Sequence, residues 1–172
     1  MFFKLKKDKL KGILVTILLL IIGWFIISLV SIYNSKKNYF AILNYKSYTI
    51  GKYFERDTKA RGATVARYRF EANSKKYTGN TTPASFNDSK PSVGNYYFVI
   101  YNFYNPEESI MFLNLEVPDS LEYLYAKNIK KLPNAKAQEK ANKYILNRFN
   151  STISKFFPPY YKEEEILKLI NQ

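Results

Sequence analysis

Gly12 to Tyr33 reads GILVTILLLIIGWFIISLVSIY, twenty-two consecutive residues without a charge. At about 1.5 Å per residue a helix of that length is about 33 Å long, enough to cross a hydrocarbon layer of about 30 Å. A cleavable leader would have a shorter apolar core followed by small residues at a cut site. Here the run is longer and ends in Ser28, Leu29, Val30, Ser31, Ile32 and Tyr33, so it reads as an uncleaved anchor spanning residues 12–33. Residues 1–11 form a basic tail with Lys4, Lys6, Lys7, Lys9 and Lys11 against Asp8. The nearest basic residues after the run are Lys36, Lys37 and Lys46. The positive-inside rule therefore expects the N-terminus in the cytoplasm and the rest of the chain on the periplasmic side of a bacterial inner membrane. Within the run, Thr16 and Gly23 are seven residues apart and share roughly one helix face. Trp24 beside them lies near the midpoint rather than at an interface, where membrane tryptophans concentrate. These three residues are the candidate contact surface for another membrane helix.

Beyond residue 33 there are 139 residues, one ordinary domain. The chain carries 27 Lys and Arg against 14 Asp and Glu. Setting the basic tail aside leaves a surplus of nine positive charges, suited to an acidic partner: anionic lipid, an acidic protein face or nucleic acid. There is no Cys and no His, which removes disulfides, thiolate and imidazole chemistry and the usual zinc ligand sets. With 16 Tyr and 13 Phe the chain is rich in aromatics, and its Lys, Asn, Ile and Tyr bias looks like that of an AT-rich bacterial genome.

Residues 34–46 form a short juxtamembrane segment in which the anchor helix is free to continue, so no long linker separates anchor from domain. From Ser47 the apolar period becomes two. In Ala63 to Ala72, ATVARYRFEA, the residues Ala66, Tyr68 and Phe70 alternate with Arg67, Arg69 and Glu71, a half-buried strand. Asn73-Ser74 turns into a partner at Lys75 to Thr78. Upstream, Ser47 to Arg56 reads as a first strand. A loop rich in Asn, Ser, Thr, Pro and Gly covers Asn80 to Asn95, and a second hairpin joins Tyr96 to Tyr104 with Ser109 to Val117 around Asn105-Pro106. Five short strands over residues 47–118 predict a small antiparallel SH3-like or OB-like barrel, which limits exposed edges.

The segments GKYFER, KKYTG, VGNYYFVIYNFYNPEES and LEVPDS together resemble the small β-domains of uncharacterised bacterial membrane-anchored proteins, in which a strand ends in V-x-Y before an Asn-Pro turn, here Val99, Tyr101 and Asn105-Pro106. The resemblance covers about Gly51 to Ser120 and implies a fold and a membrane address. Such domains often carry an acidic residue where this chain has Asn95, so no site residue is implied.

After Pro118 the period is helical. Ser120 to Lys131 allows a short helix, and Asn134 is placed to cap a longer one whose apolar face is Ala137, Ala141, Ile145, Phe149, Ile153 and Phe156. Pro158-Pro159 stops it, and Lys162 to Asn171 offers a last amphipathic segment. The whole is α+β, with residues 119–172 as a C-terminal helical segment.

Chemistry is sparse. Glu107-Glu108 and Glu163 to Glu165 read as a solvated turn and a helix start, and no phosphate-cradling glycine loop is present. No catalytic, cofactor-binding or metal-ligating residue is expected. The positive signal is the basic cluster Lys52, Arg56, Lys59, Arg61, Arg67, Arg69, Lys75 and Lys76, interleaved with tyrosines as on an oligonucleotide-binding face. Alternation, however, turns Tyr68 away from Arg67 and Arg69 and into the core. The chain therefore reads as a non-enzymatic, membrane-anchored accessory or scaffold subunit of a bacterial envelope complex, whose partners are the lipid bilayer and an envelope protein. The alternative is a membrane-anchored immunity protein against a toxin. A nucleic-acid-binding OB-like module comes third and requires inverted topology.

Overall fold

The structure is a computed structural model that describes residues 2–58, 64–82, 91–125, 127–149 and 161–171. It is α+β: a long N-terminal helix, a five-stranded antiparallel sheet and C-terminal helices. Helix α1 runs unbroken over Phe2–Asn44, 43 residues. From Gly12 the helix is apolar on nearly all sides; residues 9–22 are exposed throughout, and Lys9–Asn44 contains a window long and apolar enough to cross a membrane. The helix continues through residues 34–44, as their sequence allows, until Ile42 and Leu43 are buried in the domain core. Only Tyr45 separates it from the sheet.

The strands are β1 (Lys46–Thr58), β2 (Thr64–Ala72), β3 (Lys75–Thr81), β4 (Tyr96–Asn102) and β5 (Ser109–Glu116), in the spatial order β3-β2-β1-β4-β5. Four of the five match the expected segments to within two residues at each end. The exception is β3, which runs three residues further, through Thr81, and shortens the expected loop; residues 83–90 of that loop lie outside the described residues. The β2–β3 turn is a two-residue hairpin, since Ala72 pairs with Lys75 and the residues between, Asn73 and Ser74, have φ of 50° and 60°. Positive φ at both centres gives the turn the right-handed twist that the flanking strands need, and Asn tolerates it.

Register breaks between Tyr53 and Glu55 and between Tyr97 and Val99 increase the coiling of the sheet. One face carries Tyr53, Ala66, Tyr68, Phe70, Tyr97, Val99, Tyr101, Met111 and Leu113 as one core. The opposite face carries Tyr48, Ile50, Phe98, Ile100, Ile110 and Phe112, covered by Ile42 and Leu43 of α1 and by the C-terminal helices. Strand β4 is therefore buried on both sides, which explains why YYFVIYN is a continuous apolar run rather than an alternating one. The ladders leave β3 and β5 as the two edges of an open sheet among the described residues; the expected barrel closure is not among the pairings. The two edges nonetheless approach, and the Tyr68 hydroxyl on β2 lies 3.0 Å from Ser109 Oγ on β5.

After β5 a short helix does form, but as six residues of 3-10 geometry over Asp119–Leu124 that stop well before Lys131. The chain then returns as an extended piece, because Ile129 exchanges backbone hydrogen bonds with Tyr48 at 2.7 and 2.8 Å where β2 no longer reaches. Helix α2 (Ala135–Phe149) begins where expected: the Ala137 N–H donates to Asn134 Oδ1 at 2.7 Å, the N-cap bond. Of its apolar face Ala137, Ala141 and Ile145 are buried. Ile153 and Phe156 lie outside the described residues. Helix α3 (Glu163–Asn171) packs Ile166 and Ile170 into the same core.

Candidate functional site

Three surfaces present chemistry. The first is the exposed apolar half of α1. Trp24 is 61% exposed, and a Cβ added at Gly23 would meet nothing within 4 Å, so the Gly23–Trp24 face has no covering from the domain. Thr16 is different, because its hydroxyl donates to the Gly12 carbonyl at 3.0 Å within the helix. Ser28 does the same to Trp24 at 2.9 Å. Their hydrogen-bonding needs are met within the helix.

The second is the basic face. Cross-strand pairing places Lys52 opposite Arg69 and Arg67 opposite Glu55, while Glu71 faces Lys76. Lys52, Arg67, Arg69 and Lys76 thus share the sheet face opposite Tyr68, on the part that the helices leave open. They are held by local contacts: Arg69 lies over the Phe54 ring at 4.3 Å, Lys52 over Tyr96 at 5.5 Å, and Arg67 forms a 3.0 Å ion pair with Glu55. Arg56 and Lys75 do not join them. The register break puts Arg56 opposite the core-facing Ala66, and Lys75 pairs with the core-facing Ala72, so both belong to the other face. Lys59 and Arg61 lie outside the described residues. Tyr68 is fully buried, its pKa raised well above the usual range by desolvation.

The third surface is a pair of cavities. A groove of about 550 Å³ lies between α1, the end of β3 and the β4–β5 turn, lined among others by Asn38, Thr81, Asn105, Glu107, Glu108 and Ser109. The turn that forms its wall is zipped together: Asn102 Nδ2 donates to Glu108 Oε2 at 2.9 Å, and the Asn102 and Glu108 backbones bond at 3.0 Å. A smaller cavity of about 120 Å³ gathers Lys46, Tyr48, Lys130, Lys131 and Gln138 near the end of α3. Lys46 is occupied structurally there. Its ammonium donates to the carbonyls of Leu169 and, at 2.9 Å, Ile170, capping the negative end of the helix dipole, and burial followed by Lys131 lowers its pKa.

Sequence reasoning did not find the groove. Its walls come from three segments separated by some seventy positions, and no local pattern joins Asn38, Thr81 and Glu107. Lys46 as a helix cap was equally hidden, its acceptors lying 123 and 124 residues away. Among the described residues no group of three or more carboxylates is arranged to hold a metal ion.

No protein-family model, curated protein or solved structure matches the chain.

Proposed function

We propose that this chain is a non-enzymatic accessory or scaffold subunit of a bacterial envelope complex, anchored by residues 12–33 and holding a partner protein close to the bilayer. The observation that carries this reading is the unbroken α1, whose uncovered apolar half continues into a half packed in the domain core. A contact made in the membrane is then mechanically tied to the sheet. The uncovered Gly23–Trp24 face and the basic face of Lys52, Arg67, Arg69 and Lys76 supply the two contact surfaces. A periplasmic domain and a sheet that behaves as a closed SH3-like or OB-like barrel belong to the same proposal. The approach of β2 to β5 at Tyr68 and Ser109 supports the barrel.

The test has two arms. Thr78, exposed on β3, is changed to Cys and challenged with a membrane-impermeant thiol reagent in spheroplasts. Labelling is expected, and protection overturns the orientation. A photocrosslinker at Trp24 or Lys76 is then expected to capture an envelope protein. Capture of a toxin would replace the scaffold reading with an immunity role, and no captured protein at either position would remove both.

A further inference from the structure

The groove between α1, β3 and the β4–β5 turn has a composition at odds with the rest of the molecule. On a chain with a net charge of +13, its lining includes no Lys or Arg, and its charged groups are Glu107 and Glu108. Glu108 is engaged by Asn102, but among the described residues the exposed Glu107 carboxylate has no ion-pair or hydrogen-bond partner. Thr81 supplies a second, independent observation. It is 4% exposed, it lines the groove, and no hydrogen bond is made at its hydroxyl among the described residues. Leaving a buried hydroxyl without a partner is unfavourable, so such a group is expected to be satisfied by something that enters. Asn38, Asn105 and Ser109 add further oxygen acceptors around it.

The position narrows the ligand. Ser35 and Asn38 line the groove only two and five residues after the anchor segment ends at Tyr33, about 3–8 Å along the helix, which is headgroup depth. Acceptors, a free carboxylate and no cationic side chain suit a group with several N–H donors and a positive charge. A primary ammonium has three donors and no acceptor. We propose that this juxtamembrane groove binds the primary ammonium of an aminophospholipid headgroup, with Glu107 as its counter-ion and Thr81 as a hydrogen-bond acceptor. The proposal rests on residues 12–33 lying in a bilayer, but not on any protein partner.

The test uses the full chain in a neutral detergent and reads lipid retained through purification by native mass spectrometry. Phosphatidylethanolamine is compared with phosphatidylcholine, whose quaternary ammonium has no N–H, and with phosphatidylglycerol, which has no ammonium. Ethanolamine lipid should be retained at least about threefold over choline lipid, the scale of one net hydrogen bond that the quaternary ammonium cannot donate. Glu107→Gln and, separately, Thr81→Val should each reduce that preference to parity while the circular dichroism spectrum is unchanged. Glu107 is exposed, so its variant folds even where Thr81→Val does not. Equal retention of ethanolamine and choline lipids, or a preference that survives Glu107→Gln, overturns the proposal. Binding of free ethanolamine without retention of the lipid overturns the lipid source and leaves a soluble amine. Failure of the crosslinking above leaves these readouts untouched, so the two readings fail separately.

Discussion

Gly79 lies against the ring of Tyr68: a Cβ added there would stand 2.4 Å from the tyrosine Cζ and 2.5 Å from its hydroxyl oxygen. Neither side has room to yield, because Tyr68 is fully buried between Phe70 and the β5 edge. Gly79→Ala is therefore expected to destabilise the domain by about 2 kcal/mol, in the range of overpacked cores, read as a shift in the denaturation midpoint. In a Tyr68→Leu background the same change should cost markedly less, since the clash has been removed; additive costs would show that the two do not meet. Tyr68 itself was readable from the alternation in ARYRF. That its ring needs a glycine on β3 was not, because the contact depends on how tightly the sheet coils.

At the scale of elements, α1 is two structures in one helix. Residues 9–22 contribute nothing to domain stability, whereas Ile42 and Leu43 belong to the outer-face core. A chain starting at residue 34 should therefore keep its β-sheet circular dichroism and a cooperative unfolding transition. Leu43→Ala in that shortened chain should cost about 2–5 kcal/mol, the usual price of a large core truncation. An unfolded shortened chain would mean that the apolar half of α1 also supports the domain. The helix runs through the polar Asn34 to Asn38, as the lack of any Gly or Pro there allowed, and Ile42 and Leu43 bury at its far end. Conversely, Ser120 to Lys131 has helical spacing but is drawn into a 3-10 turn and a bridge to Tyr48, where pairing with an open strand end satisfies backbone groups that a short helix would leave bare.

For the molecule as a whole, the two cores on either side of one sheet share a set of buried phenols. Burial raises the pKa of Tyr48, Tyr53, Tyr68, Tyr97 and Tyr101. In the unfolded chain these groups lose their protons near pH 10, while the folded chain holds them longer, so above that pH the unfolded state binds fewer protons and stability falls. Their contribution is intact below about pH 10 and is lost as pH rises through the folded pKa values. The domain is expected to melt at progressively lower temperature from about pH 10 upward, with tyrosinate absorbance appearing together with unfolding. Tyrosinate forming well before any loss of structure would show that the phenols are open to water.

The sequence by itself determined the long apolar helix, the number of strands and their place along the chain, the Asn73-Ser74 hairpin, the N-cap at Asn134 and the buried side of β2. Each rests on residues within a few positions of one another: a charge-free run, a period of two, a turn pair, a cap. The tertiary structure alone decided that β4 is covered on both faces, that Arg56 and Lys75 leave the basic face, and that Lys46 caps α3. It also brought Asn38, Thr81 and Glu107 to one groove beside α1. Those outcomes depend on sheet coiling, register breaks and contacts between distant segments, and a single register break is enough to turn a side chain to the opposite face.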